Sequence, residues 1–182
     1  TSNLLDWANA SVSFSDHIRQ GNSLIGFVDT LDMEIDVPPE TSPFHWYLEF
    51  PDIMAREEAG FDIILGNPPY GNILSSAERD WLSKEYGKYV ASGRDGTWNA
   101  AALFVVRAGQ LLHNAGELGF LVPNSILRVR QFTKTRNYLM KKLGLWGITD
   151  EGNPFSNVTL EMVTLHCNPS SVDTLNELIV NS

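Results

Sequence analysis

Phe61-Asp62-Ile63-Ile64-Leu65-Gly66 runs without interruption into Asn67-Pro68-Pro69-Tyr70. The first six residues are apolar, short and closed by glycine, which predicts a buried parallel strand. Two consecutive prolines follow. Each lacks an N–H and has a fixed φ, so neither helix nor sheet pairing continues through them. The strand must therefore end in a rigid loop at its carboxyl end, where open α/β sheets hold their ligands. That loop fixes a side-chain amide beside a phenol ring.

The flanking segments supply the rest of a sheet. Downstream, Thr97–His113 reads as a buried helix, with Ala101, Val105, Ala108 and Leu112 on one face and Phe104 and Leu111 widening it. Leu118–Pro123 predicts a second buried strand. Gln131–Leu143 predicts a helix with Arg130, Lys134 and Lys141 to one side and Phe132, Leu139 and Leu143 toward the core. Leu145–Thr149 and Val158–Cys167 read as strands, the last pairing antiparallel. Between Tyr70 and Gly96 a polar stretch contains one helix, Ser76–Tyr86. Upstream, His17–Gln20 reads as a short strand, Gly21–Gly26 as a glycine-bounded loop, and 28–43 as loop. Phe44–Pro51 reads as extended and Asp52–Ala59 as a short helix. The alternation predicts an α/β class with a mostly parallel sheet. Residues 1–16 are taken as a lead-in, 17–170 as the core and 171–182 as a tail.

With 182 residues the chain suffices for one domain. No apolar run reaches membrane-spanning length, and no signal peptide is visible. The chain starts at Thr1 without a methionine and reads as a piece of a longer, cytoplasmic polypeptide. Its single cysteine, Cys167, excludes an internal disulfide, and its four histidines (17, 45, 113 and 166) are scattered, so no metal site is expected. A net charge of −9 opposes an autonomous nucleic-acid-binding module. Yet Arg128, Arg130, Lys134, Arg136, Lys141 and Lys142 crowd one segment, which fits either a DNA-backbone contact or a solvated helix face.

The loop itself suggests a chemistry. The Asn67 side-chain oxygen and the Pro68 carbonyl are two acceptors suited to an amino group with two hydrogens. Holding both hydrogens draws the nitrogen toward tetrahedral geometry and localises its lone pair. Tyr70 offers a flat face for a planar ring, worth about 1–3 kcal/mol for a nucleobase. Together they read as a site for alkylating a planar amine.

Asn67-Pro68-Pro69-Tyr70 after a strand resembles motif IV of amino-directed, S-adenosylmethionine-dependent methyltransferases, above all the DNA adenine-N6 enzymes. Gly21-Asn22-Ser23-Leu24, the Phe44–Pro51 segment and Gly60-Phe61-Asp62 resemble type IIG restriction–modification enzymes. Ala102-Leu103-Phe104 is similar to motif V, Gly116–Asn124 to motif VI, and Asn153–Thr159 is placed like motif VIII. The resemblance implies the carboxyl-terminal part of a Rossmann-like class I methyltransferase. Asn67, the Pro68 carbonyl and Tyr70 would then be catalytic, gripping and stacking a target adenine. Pro69 and Phe155 would bind substrate, and Asn22, Ser23 and Phe104 the cofactor S-adenosylmethionine. Arg128, Arg130 and Lys134 would meet the DNA backbone. The adenine would have to flip out of the duplex. No metal is implied.

The family's glycine-rich cofactor loop and the acidic residue after its second strand are absent, as are a target-recognition domain and a nuclease motif. Asn22 stands where motif III commonly has aspartate. The resemblance therefore implies a partner half elsewhere in the same polypeptide and an isolated chain without turnover. Two other readings remain open: an amino-group methyltransferase for release-factor glutamine or ribosomal RNA guanine, and a non-catalytic DNA- or protein-binding piece.

Overall fold

The expected alternation of strand and helix is present in the computed structural model, which describes residues 18–28, 37–91, 98–155, 159–172 and 179–181. Two one-turn helices, α1 (Trp46–Glu49) and α2 (Pro51–Met54), precede strand β1 (Phe61–Gly66). Helices α3 (Ser76–Tyr86) and α4 (Ala100–Leu111) lead to β2 (Leu112–Pro123). Short α5 (Ser125–Arg128) and longer α6 (Thr133–Lys141) lead to β3 (Leu145–Gly152), β4 (Met162–Cys167) and β5 (Ile179–Asn181). Residues 1–17, expected to contain the lead-in and the start of a strand, lie outside the described residues.

Local chemistry explains where the helices begin. The Ser75 hydroxyl accepts from the Glu78 amide, and the Glu78 carboxylate accepts from the Ser75 amide, a reciprocal cap that starts α3. Asn99 caps α4 by accepting from the Ala101 amide at 3.0 Å. Helix α4 is apolar on nearly every side, and Ala101, Leu103, Val105 and Val106 are fully buried.

The sheet order is β1-β2-β4-β3-β5. Strands β1 and β2 are parallel, with Ile63 opposite Glu117 and Gly66 opposite Phe120. Strand β4 is antiparallel to both neighbours, setting Cys167 against Leu118 on one side and Leu165 against Ile148 on the other. The α/β class and the antiparallel strand are thus as expected, although of the span 158–167 read as strand, residue 158 lies outside the described residues and the strand begins at Met162. The sheet as a whole is mixed because β4 runs against its two neighbours, and β5, within the segment read as a tail, adds a parallel edge to β3. Helices α4 and α6 pack against each other, and α4 also packs on β2. Phe132, Leu139 and Leu143 point into this core as their spacing required.

Several local expectations are corrected. Strand β1 is not buried: among the described residues it pairs with β2 alone, at the sheet edge, and Ile63 and Leu65 are 65% and 78% exposed. Only its other face, carrying Ile64, packs against the core. Phe44–Pro51 is not extended. It folds into the helical turns α1 and α2, because Pro51 can open a helix and the rings of Phe44, Trp46, Phe50 and Phe61 gather in one cluster. Residues 18–20 form no strand, and Asn22 makes a single parallel bridge to Pro43. Strand β2 begins at Leu112 rather than Leu118, a register shift against β1 absorbing the extra residues.

Burial sets a clear contrast for mutation. Leu165→Ala, at a fully buried position, should cost about 2–5 kcal/mol. Leu65→Ala should cost less than about 0.5 kcal/mol. Urea denaturation of the two variants beside the parent chain measures both.

Candidate active site

Strand β1 delivers its last residue, Gly66, to the rim of the sheet. A side chain there is refused, since a Cβ would sit 2.8 Å from the Phe120 ring. The chain then leaves the sheet through Asn67, Pro68 and Pro69. Pro68 is buried, Asn67 and Pro69 are exposed, and Tyr70 is half-buried against the core. Beyond them the Gly71 carbonyl accepts from the Ala100 amide at 3.0 Å, which ties the exit of the loop to the start of α4. Neither the Asn67 side chain nor the Pro68 carbonyl is hydrogen-bonded to a described residue. Both acceptors are therefore unspent.

They border a cleft of about 280 Å³ whose wall includes Ser23, Trp46, Ile64, Phe104 and Arg107. Of the residues singled out from the sequence, Ser23, Asn67, Pro68, Pro69 and Phe104 line this one cleft. Asn22, Tyr70 and Phe155 do not. The Asn22 amide is turned away: its nitrogen donates to Glu78 Oε1 at 2.6 Å and its oxygen accepts from the Leu24 amide at 3.2 Å. Phe155 is half-buried just beyond β3.

The basic residues separate into different situations. Arg128 lies 3.3 Å from Glu161 and has its charge locally offset. Lys134 is exposed and donates to the Gly87 carbonyl at 2.7 Å. Arg130 is exposed and forms no ion pair with a described residue. Among the described residues no group of His, Cys, Asp or Glu is placed to hold a metal ion, and no helix is long and apolar enough to cross a membrane.

Sequence reasoning passed over three residues around the cleft. Arg107, a single charge within the apolar helix α4, is buried and bonded to the Leu24 and Gly26 carbonyls. Its isolation in an apolar run was the available signal. Tyr86 is fully buried and donates to the same Leu24 carbonyl at 2.9 Å. Trp46, read as packing, lines the cleft and donates from its indole to the Ser23 carbonyl at 3.1 Å.

The profile of the Eco57I restriction-modification methylase family matches residues 7–155. The chain belongs to that family. RM.MjaORFECS2P of Methanocaldococcus jannaschii, a candidate type II restriction enzyme and methyltransferase, is 36% identical over 107 residues, 57% of this chain and 8% of that protein. The type II restriction enzyme and methyltransferase RM.Eco57I of Escherichia coli is 28% identical over 120 residues, 62% of this chain and 12% of that protein. This Eco57I-family chain thus spans a small part of the relatives it matches. Among solved structures it resembles a class I S-adenosylmethionine-dependent methyltransferase assigned in Listeria monocytogenes. The TM-score is 0.53 at 20% identity, covering 66% of this chain and 36% of that one. It also resembles the Type ISP restriction-modification enzyme LlaGI, with a TM-score of 0.52 at 17% identity over 82% of this chain and 14% of that one. The fold is that of class I methyltransferases.

Glu78 joins the Asn22 turn to the helix that follows the proline loop. Burial pushes its carboxyl up, but hydrogen bonds from the Ser75 hydroxyl and amide and from Asn22 outweigh this and hold it below its ordinary value of 4.5. A depressed carboxylate stabilises the fold above its unfolded value, and that contribution is lost as pH falls through the folded one. Stability should therefore drop as pH falls below 4.5. Glu78→Gln should flatten that part of the curve, as followed by thermal unfolding between neutral and acid pH.

Proposed function

We propose that this chain carries the substrate side of an active site that moves a methyl group from S-adenosylmethionine to the exocyclic amino group of adenine in DNA, within a restriction–modification protein. The observation that carries this reading is the pair of unspent acceptors, Asn67 Oδ1 and Pro68 O, at the edge of the cleft lined by Phe104 and Ser23. A cleft lined mainly by apolar side chains with a few polar groups suits the adenosyl part of the cofactor. Ser23 and Phe104 would hold that part. When bound, the cofactor supplies an electrophilic methyl group on sulfur.

The chain's own residues do the rest. Adenine's amino lone pair is delocalised into the ring and reacts poorly. Asn67 and the Pro68 carbonyl each accept one N–H, which favours the pyramidal nitrogen and frees the pair for in-line attack. The cofactor, held by Ser23 and Phe104, would supply the methyl group and depart as the thioether, and Asn67 and the Pro68 carbonyl would pass the proton that the nitrogen sheds on to water. Tyr70 and Phe155 stack on the extruded base, with Pro69 beside it, offsetting the loss of stacking in the duplex. Arg130 has an uncommitted charge for a backbone phosphate, and Lys134 and Arg128 contribute beside it.

The outer edge of β1, which no described residue pairs, supports a partner half. A parallel strand with unpaired backbone groups and exposed Ile63 and Leu65 is completed by further strands, which in this reading belong to the same polypeptide and carry the methionine end of the cofactor site. The chain alone is then expected to show no turnover, and the working protein is cytoplasmic, where its DNA lies. A target-recognition domain completes the assembly.

Tritiated cofactor tests the reading. The polypeptide that carries this segment should label DNA at adenine, and Asn67→Ala should lower the rate by about 10²–10³-fold. Label in a release factor or ribosomal RNA, with none in DNA, would overturn the choice of substrate.

A further inference from the structure

The turn that carries Asn22 and Ser23 is fixed through its carbonyl groups. The Trp46 indole donates to Ser23 O at 3.1 Å and the Phe44 amide to Ile25 O at 2.7 Å. The Tyr86 hydroxyl donates to Leu24 O at 2.9 Å. Arg107 Nη2 donates to both Leu24 O at 2.7 Å and Gly26 O at 3.2 Å. Four consecutive carbonyls thus accept from donors in separate parts of the chain. Gly26 is itself confined, with φ of 134° and the Phe44 carbonyl where a Cβ would stand.

Arg107 differs from the other donors. It is 4% exposed, and among the described residues it forms no ion pair and its Nε has no hydrogen-bond partner. Its other neighbour is the Tyr86 ring, whose centroid lies 5.6 Å from the guanidinium carbon. Burying a cation among neutral groups is costly, and a neutral donor would satisfy one carbonyl at lower cost. Both bonds come from one nitrogen, Nη2; a neutral amide also carries two N–H donors but sits on a shorter stem, so it lacks the reach from α4 to both carbonyls of the turn. Arg107 also sits three residues after Phe104 on α4, so both lie on the same face of the helix, and both line the cleft with Ser23. The guanidinium therefore sets the distance between two walls of the cleft: the Phe104 helix and the Ser23 turn.

We propose that Arg107 is a positioning residue for the cofactor, holding the Asn22–Gly26 turn against α4 at the spacing the adenosyl group requires, with Tyr86 as its second support. This rests on the reading above that the cleft takes that group. Burial pushes the Tyr86 hydroxyl up to about 12, although the Arg107 charge opposes the rise, so it stays protonated and donating at neutral pH.

The test uses the methyltransferase polypeptide that carries this segment. Binding of S-adenosylhomocysteine by isothermal titration is measured beside KM for cofactor, KM for DNA and the unfolding temperature. Arg107→Met should weaken S-adenosylhomocysteine binding and raise the cofactor KM by about tenfold, the loss of a charged donor to two carbonyls. The KM for DNA should stay within about twofold. Arg107→Lys should recover part of the binding. Tyr86→Phe keeps the ring and removes one donor, so it should weaken binding by about threefold, and it decides the matter if Arg107→Met does not fold. Unchanged cofactor binding in Arg107→Met and Tyr86→Phe would overturn the proposal. So would an equal rise in both KM values alongside a lower unfolding temperature. A parent protein that binds S-adenosylhomocysteine but whose variants bind equally well sinks only this inference. A parent that binds none sinks the proposed function with it.

Discussion

The parallel pairing of β1 with β2 is the constraint from which the rest of the structure follows. Parallel strands cannot be joined by a tight turn, so the chain must leave the sheet at Asn67 and return at Leu112. Pro68 and Pro69 make the departure abrupt. Helix α4 makes the return, and its path carries Phe104 and Arg107 past the loop where the excursion began. The cleft is thus a by-product of topology, and the side chains that define it are those the crossover lays beside the strand's end.

Much of this was legible in the sequence, and particular residues show why. Helix α3 could be read to its terminal residues because Ser75 and Glu78 announce its start within four positions. The burial of Phe132, Leu139 and Leu143 was likewise a local signal of period and composition. Burial of β1 was misjudged because an apolar run reports what a strand can bury against, not whether a neighbour is present. Phe44–Pro51 misled for another reason. Aromatic residues favour strands, yet here Trp46 and Phe50 stack on each other and meet Phe61 edge-on across a helical turn.

The site was readable in part. Asn67, Pro68 and Phe104 were marked by motif and spacing, and they share a cleft with Ser23. The engagement of both ends of the Asn22 amide was not readable, because Glu78 lies 56 residues away along the chain. Nor were the roles of Arg107 and Tyr86, which reach Leu24 across 83 and 62 residues. Such contacts are set by how α3 and α4 close over the turn, and no window of sequence contains them. They also show how the proline loop and the Asn22 turn are joined: α3 leaves the first and, through Glu78 and Tyr86, holds the second.

The bare edge of β1 has a consequence for how this polypeptide lives in solution. Six residues, two of them large and exposed, present a row of backbone donors and acceptors that no described residue pairs. No proline interrupts that row, and its one charged side chain, Asp62, is a thin guard. Such an edge accepts any strand offered to it, including another copy of itself. In the proposed assembly the order of synthesis and folding then matters: if a completing strand is in place first, the edge never exists as a surface, and if it comes late, self-association competes with completion of the sheet.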